Sequence, residues 1–427
     1  MPNFTSLPGF RDFYPEDLAI RSYIFEIWRD VARRYGFQEY DGPPLESTEL
    51  FIEKSGPEIV QQLYNFTDKG GREVAMRPEM TPTVARMVGA RGSAMRKPIK
   101  WFAIPQLFRY ERAQRGRLRE HFQLNFDIIG DEGVGADVEL IAAAIDVLRA
   151  FGLSEKDVVT KVSNRRLLRA LLLNAQVPED QLTLVYNIVD KLERETPETI
   201  SGRLQKEAML SAEASEAVLA IFRHRDFDAV RSAYGGIEGT AEEVERMRQL
   251  LQDLSDFGLG EYVRFDLSIV RGLAYYTGVV FEIFDTRGEL RAIAGGGRYD
   301  DLLRIVSGTD MPALGFGMGD VVLRELLIDK GLLPPVSPAV EYYVIGVTPE
   351  MRPHVLALVN KLRTAGHAVE YGFKHQGVGK QLKNAAALHA RQTVIVGPDE
   401  VAAGEVVVRS MASGEERKVS VTQLAGA

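Results

Sequence analysis

The chain of 427 residues contains no cysteine. That absence excludes disulfides, thiolate zinc sites and a cysteine nucleophile together. Long apolar runs are also missing, none approaching the roughly 18 residues a transmembrane helix requires. The opening MPNFTSLPGF has no basic segment followed by an apolar one, so no secretory leader and no membrane association are expected, and the expected address is cytoplasmic. Nor is there an excess of positive charge: 52 Lys and Arg against 60 Asp and Glu leave −8. A general nucleic-acid coat protein is therefore disfavoured, although a local basic patch can still serve an enzyme that handles RNA. No internal repeat or low-complexity segment interrupts the chain. What is present, 45% apolar and 26% charged residues, is the composition of a folded protein of two or three domains.

Hydrophobic periodicity divides the chain. Residues 16–36 place Ile20, Ile24, Ile27, Trp28, Val31 and Tyr35 on one helical stripe that ends at Gly36. From about 101 to 130 the period changes to two, predicting a pair of strands that meet at the turn AQRG. Residues 166–255 read as nearly all helix, with Thr240 and Glu243 spaced as a capping box. Strands return at 261–294, with RGE as the turn between VVFEIFD and LRAIA. GLLPPVSPAV (331–340), with three prolines in ten residues, reads as a linker. Beyond it, YYVIGV, HAVEYG, TVIVG and EVVVRSM alternate with two helical stretches, as in a small α/β module. The pattern gives an α+β body over 1–165 and 256–330, a helical insertion at 166–255, and a tail domain at 341–427.

The charge concentrates at FRYERAQRGRLREHFQLNFDIIG (108–130), with five arginines from Arg109 to Arg119. From Arg117 onward one strand face carries Leu118, Phe122, Leu124, Phe126 and Ile128, with Glu120 its single polar member. The other face carries Arg117, Arg119, His121, Gln123, Asn125 and Asp127. Such alternation also describes a sheet with one dry and one wet face. However, arginine, amide and short carboxylate suit fixed hydrogen bonding better than solvation. Arg109 and Glu111 share a parity and could face the same side. Directed arginines beside carboxylates suit a ligand that has both phosphate and ammonium groups.

FRYE, the basic turn and the polar alternating strand resemble motif 2 of the class II aminoacyl-tRNA synthetases. The resemblance becomes specific in IVRGLAYYTGVVFE (269–282), which is similar to the signature of the histidyl-tRNA synthetases. MRPEMTP (76–82) resembles that family's substrate loop, YGFQEYDGPPLE (35–46) its motif 1, and GGGRYDDLL (295–303) with LGFGMGD (314–320) its motif 3 region. VGPDEVAAGEVVVRSMASGEE (396–416) resembles its anticodon-binding domain. Nearly the whole chain is covered, the helical insertion being the least diagnostic part.

The resemblance implies a class II antiparallel-sheet catalytic domain with a helical insertion and a C-terminal α/β anticodon-binding domain. It implies ATP, Mg2+ carried on the ATP phosphates without a dedicated protein metal site, histidine, tRNA(His) and a homodimer as ligands and partners. Arg109 and Arg271 would hold the α-phosphate and the histidine carboxylate. Glu79, Thr81 and Gln123 would receive the histidine ammonium, and Asp127, Tyr275, Tyr276 and Tyr299 would form the imidazole pocket. Many members have glutamate where Asp127 stands. Glu111, Arg117, Arg119 and His121 match nucleotide positions. Gln114 and Arg115 are placed to meet tRNA, although the same turn reads equally as a solvated hairpin.

Two departures coincide. Val322 occupies the place of an arginine that covers one face of adenine in most class II enzymes, with Arg324 two residues later. His121 followed by Phe122 stands where motif 2 usually has phenylalanine on adenine's other side. Adenine is then expected between apolar contact and a histidine ring, with Arg324 or another arginine completing the γ-phosphate contact. The tail holds four of the six histidines (His354, His367, His375, His389) without close ligand spacing, and GFKHQGVGKQLKNA is its candidate anticodon-facing segment. The alternative function is the synthetase-like, histidine-sensing regulatory subunit of ATP phosphoribosyltransferase. That paralogue typically lacks the tail domain and erodes the catalytic arginines, whereas this chain keeps the tail, Arg109 and Arg271.

Overall fold

The computed structural model describes residues 4–426 except Ala113, 193–194, 225, 271–274 and 335–339. It divides into two compact units, 1–333 and 334–427.

The first unit is organised around the strand Glu120–Ile129. Leu124, Phe126 and Ile128 are buried in the main hydrophobic cluster, and Gln123, Asn125 and Asp127 alternate to the other face. The lone polar member of the apolar face, Glu120, is 1% exposed. It accepts from Arg11 Nε at 2.7 Å and Gln106 Nε2 at 2.9 Å. Arg11 also donates to the buried Asp320 at 2.8 Å, so a carboxylate that would be costly to bury alone belongs to a satisfied group. The strand begins later than the alternation predicts. Among the described residues of 109–119 the chain is a loop that carries one isolated bridge, Gln114 to Arg117, and is closed by Arg109 N on Arg119 O at 2.8 Å. Backbone donors there go elsewhere, Tyr110 N to Gln62 O at 2.9 Å and Arg119 N to Gly9 O at 3.0 Å, and Gly116 takes the left-handed φ of 71° that turns the chain.

Glu120–Ile129 lies within a nine-stranded sheet of the described residues, flanked by Ile99–Ala103 and Ala313–Gly319. Beyond Ala313–Gly319 follow Ala294–Arg298, Val279–Asp285 and Val158–Asn164, all antiparallel neighbours. Only the outermost pairings, Gln38–Glu39 on one edge and Val263–Phe265 on the other, are parallel. Two helices cover the apolar face. Pro15–Arg34 buries Ile24, Trp28 and Val31, as its stripe predicts, and Val134–Ala150 is apolar on most of its circumference because it lies beneath the sheet.

Helices occupy residues 165–256, from Arg165–Asn174 to Ala241–Asp256. Asn164 caps the first by accepting from Arg166 N at 2.8 Å and Leu167 N at 3.1 Å. The predicted capping box does not form. Thr240 Oγ1 donates instead to the carbonyls of Tyr234 and Ile237, both at 2.8 Å, and Glu243 is buried, accepting from Asn164 Nδ2 at 2.7 Å. Tertiary contacts used both side chains before the local motif could. Leu171, Val185, Leu204, Val218 and Met247 of this segment share one hydrophobic cluster with the body.

RGE does form a turn, with Gly288 at φ 68°, but strand pairing resumes only at Ile293, whose N donates to Ile283 O at 2.8 Å. The Asp285 carboxylate instead accepts from Glu289 N and Leu290 N at 3.1 and 2.9 Å. It holds residues 286–292 as a loop, an Asx-type competition with the ladder.

In the second unit, Val369–Tyr371, Tyr342–Gly346 and Gln392–Val396 are parallel, and Glu405–Ser410 and Glu416–Ser420 continue antiparallel. Val344 faces one cluster with Val355, Leu358 and Leu362, while Tyr343 and Ile345 face another with Ala385. Both faces of the strand Tyr342–Gly346 are therefore covered, as its unbroken apolar run requires. His367 Nδ1 lies 2.9 Å from Glu341 Oε2. Among the described residues no helix is long and apolar enough to cross a membrane.

Candidate active site

The polar face of Glu120–Ile129 lines two cavities that share Arg109, Glu111, Arg117 and Gln123. The smaller, of about 410 Å³, also has Glu79, Thr81, Asn125, Asp127, Tyr275, Tyr276 and Tyr299 on its walls. The larger, of about 940 Å³, contains His121, Arg291 and Val322.

Glycine makes the floor of the smaller cavity. Gly315 pairs with Asp127 and Gly317 with Asn125 across the ladder. A Cβ on Gly315 would stand 2.8 Å from the Tyr299 hydroxyl and 2.6 Å from Phe126 O, and one on Gly317 would stand 2.7 Å from Gln123 Cδ. The glycines of LGFGMGD thus let the recognition side chains lie flat over the neighbouring strand.

On its wall Asp127, 4% exposed, accepts a short hydrogen bond from the Tyr299 hydroxyl. Burial pushes its carboxyl up to about 7, against the opposing influence of Tyr299, the charge of Lys54 and the nearby Tyr40. Glu79, also on that lining, pairs with Lys54, whose side chain is fully buried and whose ammonium sits 3.9 Å from the Tyr275 ring centroid. Lys54 lies behind the cavity wall and influences both carboxylates. Nothing in ELFIEKSG marks it as special, because an isolated lysine carries no pattern. Tyr40, inside the motif 1-like string, also becomes meaningful only when the sheet brings it to Asp127.

Arg109 Nε donates to Pro78 O at 3.0 Å, which fixes the guanidinium on the wall between the cavities. Arg117 pairs with Glu111. His121 is held neutral, its pKa lowered to about 3 first by burial and then by the charges of Arg109, Arg11 and Arg117. Arg119 lines neither cavity: it donates to Glu111 O at 3.1 Å and lies 4.7 Å over the Tyr110 ring. Gln114 and Arg115 stay outside on the exposed turn, with Arg115 on Glu325 at 3.0 Å. Arg324, one candidate for the γ-phosphate contact, lines neither cavity and pairs with Asp17 at 2.6 Å. Arg271 lies outside the described residues.

Histidyl-tRNA synthetase is the family whose model matches residues 9–320, and an anticodon-binding domain matches 341–427. The chain belongs to the histidyl-tRNA synthetase family. A histidine–tRNA ligase from Opitutus terrae is 45% identical, over 99% of this chain and 98% of its own. The chloroplastic/mitochondrial histidine–tRNA ligase of Arabidopsis thaliana is 42% identical, over 97% of this chain and 85% of its own. The crystal structure of the histidyl-tRNA synthetase from Nostoc superimposes with a TM-score of 0.84, covering 100% of this chain and 99% of that one at 24% identity, and shares the fold. Within this family the α+β class and the separate C-terminal sheet domain are as the sequence predicts.

The cost of Asp127 is testable. An unfolded aspartate titrates near 3.9, so below about pH 4 the residue is protonated in both states and imposes no penalty. Between about 4 and 7 the folded form binds more protons, so stability falls as pH rises, and the loss is complete above about 7. Asp127→Asn is therefore expected to melt above the parent protein at pH ~8, with the gain shrinking at pH ~5. Ligand-free thermal melts of both proteins check it; a gain that is equal at both pH values would contradict the assignment.

Proposed function

We propose that the chain is a histidine–tRNA ligase. A histidine carboxylate oxygen attacks the α-phosphorus of ATP, the bond to the β-phosphate oxygen breaks, and pyrophosphate leaves. The terminal ribose hydroxyl of tRNA(His) then attacks the adenylate carbonyl, forming the ester and releasing AMP. The observation that carries this reading is the pair of cavities joined at Arg109. The smaller has carboxylates at Glu79 and Asp127, suited to an amino acid with a proton-donating group at each end.

Both reactants are anionic, so the first demand on the site is to offset their repulsion and the charge added to phosphorus. Arg109 on the shared wall serves that, joined by Arg271. Glu79, Thr81 and Gln123 take the ammonium. Asp127, aligned by Tyr299, accepts an imidazole N–H, and Tyr275 and Tyr276 complete that pocket. A buried carboxylate left unpaired discriminates strongly against side chains without such a donor. Glu111, Arg117 and His121 lie on the nucleotide side, with Arg119 behind them bracing the Glu111 backbone. Mg2+ arrives on the ATP phosphates. Gln114 and Arg115 face the tRNA acceptor end, residues 166–255 act as an insertion, and 341–427 reads the anticodon. The active form is a homodimer, supported by the exposed Phe4, Leu7 and Tyr14 of the N-terminal segment, and the address is cytoplasmic.

Histidine-dependent exchange of labelled pyrophosphate into ATP tests the reading, with exchange and transfer to tRNA expected. Tight histidine binding without exchange would favour the regulatory-subunit alternative. Sedimentation is expected to give a dimer.

A further inference from the structure

Four arginines line the larger cavity, and three of them are engaged. Arg109 donates to Pro78 O, Arg117 pairs with Glu111, and Arg287 lies 3.8 Å from Glu289 and 3.9 Å from Asp329. Among the described residues the fourth, Arg291, has no hydrogen-bond, ion-pair or ring partner. An exposed arginine without a partner is ordinary. One held at the mouth of a nucleotide-sized cavity by a structured loop is not.

That loop is the departure from the expected hairpin. Because Asp285 accepts from Glu289 N and Leu290 N, pairing is deferred to Ile293 and Arg291 stays off the ladder. Its stem then passes the basic turn. A Cβ on Gly116 would lie 3.7 Å from Arg291 Cδ and 3.4 Å from Val322 Cγ2. The stem of Arg291 and Val322, the apolar residue found where an arginine was expected, thus flank one point of the basic turn and line the same cavity.

The neighbouring surfaces decide the kind of ligand. Val322 is apolar and 7% exposed, and His121 is neutral, so these two walls themselves offer a phosphate no charge. The phosphate-directed cations, Arg109 and Arg117, are on the wall shared with the smaller cavity. A flat, uncharged heterocycle fits between apolar and imidazole surfaces, and a planar guanidinium is the cation that stacks on such a ring.

We propose that Arg291 is a nucleotide-binding residue that stacks on the adenine of ATP, supplying from the loop at 286–292 the guanidinium absent at Val322. This rests on the ligase reading and names the adenine contact within it. The role is one of binding: the residue holds the base and leaves the reacting phosphorus to Arg109.

Pyrophosphate exchange with the full-length chain tests it. Arg291→Ala is expected to raise the KM for ATP roughly tenfold to a hundredfold, the size of a base-stacking contact, with the KM for histidine unchanged within about twofold. Arg291→Lys is expected to be nearly as impaired, because an ammonium keeps the charge but loses the plane. Val322→Arg placed in the Arg291→Ala background is expected to recover ATP affinity. An ATP KM in Arg291→Ala within about twofold of the parent would overturn the proposal while leaving the ligase reading intact. Full recovery by lysine would overturn it in favour of a phosphate contact. Absence of exchange in the parent protein would instead remove the ligase reading on which the proposal rests.

Discussion

Arg109→Ala is expected to reduce histidine-dependent pyrophosphate exchange by about 10²–10³-fold, the loss that follows removal of one preorganised donor to a developing oxyanion. Arg109 lines both cavities, and its Nε is committed to Pro78 O at 3.0 Å. In the proposed reaction that anchor leaves the two terminal nitrogens available to the charge that builds on the phosphorus. The loss should appear mainly in kcat, because that charge is greatest in the transition state. Arg109→Lys should recover little, since lysine has neither the Nε anchor nor paired donors. Steady-state exchange with both substrates varied separates the alternatives: a raised histidine KM at normal kcat would assign Arg109 to substrate binding alone.

The second large effect concerns the frame of the pocket. Arg298 and Asp137 are 3% and 2% exposed. Arg298 Nε lies 3.0 and 3.1 Å from the two Asp137 oxygens, and its Nη2 lies 2.8 Å from Oδ2. The remaining donors reach Asp131 O at 2.9 Å and Gly133 O at 2.8 Å. The arginine thus ties the end of Ala294–Arg298 to the start of the buried helix Val134–Ala150, one residue before the tyrosine that holds Asp127. Burial still raises the Asp137 carboxyl to about 6 despite the arginine, so desolvation consumes much of what the pair gains. Asp137→Ala is expected to cost about 3–5 kcal/mol, because it strands a buried guanidinium. The double replacement Asp137→Leu with Arg298→Met should cost distinctly less. Urea midpoints of the three proteins check this, and a double variant at least as unstable as the single would show that the ion pair itself stabilises the fold. Histidine affinity is expected to fall in Asp137→Ala, through Tyr299.

Patterns that repeat along the chain were legible early. The helix at 16–36, the two faces of the strand after Glu120 and the sheet module beyond residue 341 follow from periods of 3.6 and 2. These reflect the geometry of a helix or strand that buries one side. The glycine and arginine strings that resemble the synthetase motifs were legible for a related reason: close backbone approach and directed charge each admit few residue types. Where local and tertiary demands competed, sequence spacing misled. Thr240 and Glu243 have capping-box spacing, yet a buried carboxylate is better satisfied by Asn164 than by a helix end. RGE turns the chain, but Asp285 takes the next two amides and delays the ladder.

The sequence by itself determined the α+β class and the two faces of the strand after Glu120. Each is encoded by neighbours within a few residues. Tertiary structure alone decided that Lys54 and Tyr40 stand near the Glu79 and Asp127 carboxylates, that Arg119 and Arg324 line neither cavity, and that Arg291 and Val322 line the same one. Those residues meet across strands and loops far apart in the chain. Their roles depend on burial and on which charges share a cavity, quantities that exist only once the sheet has closed.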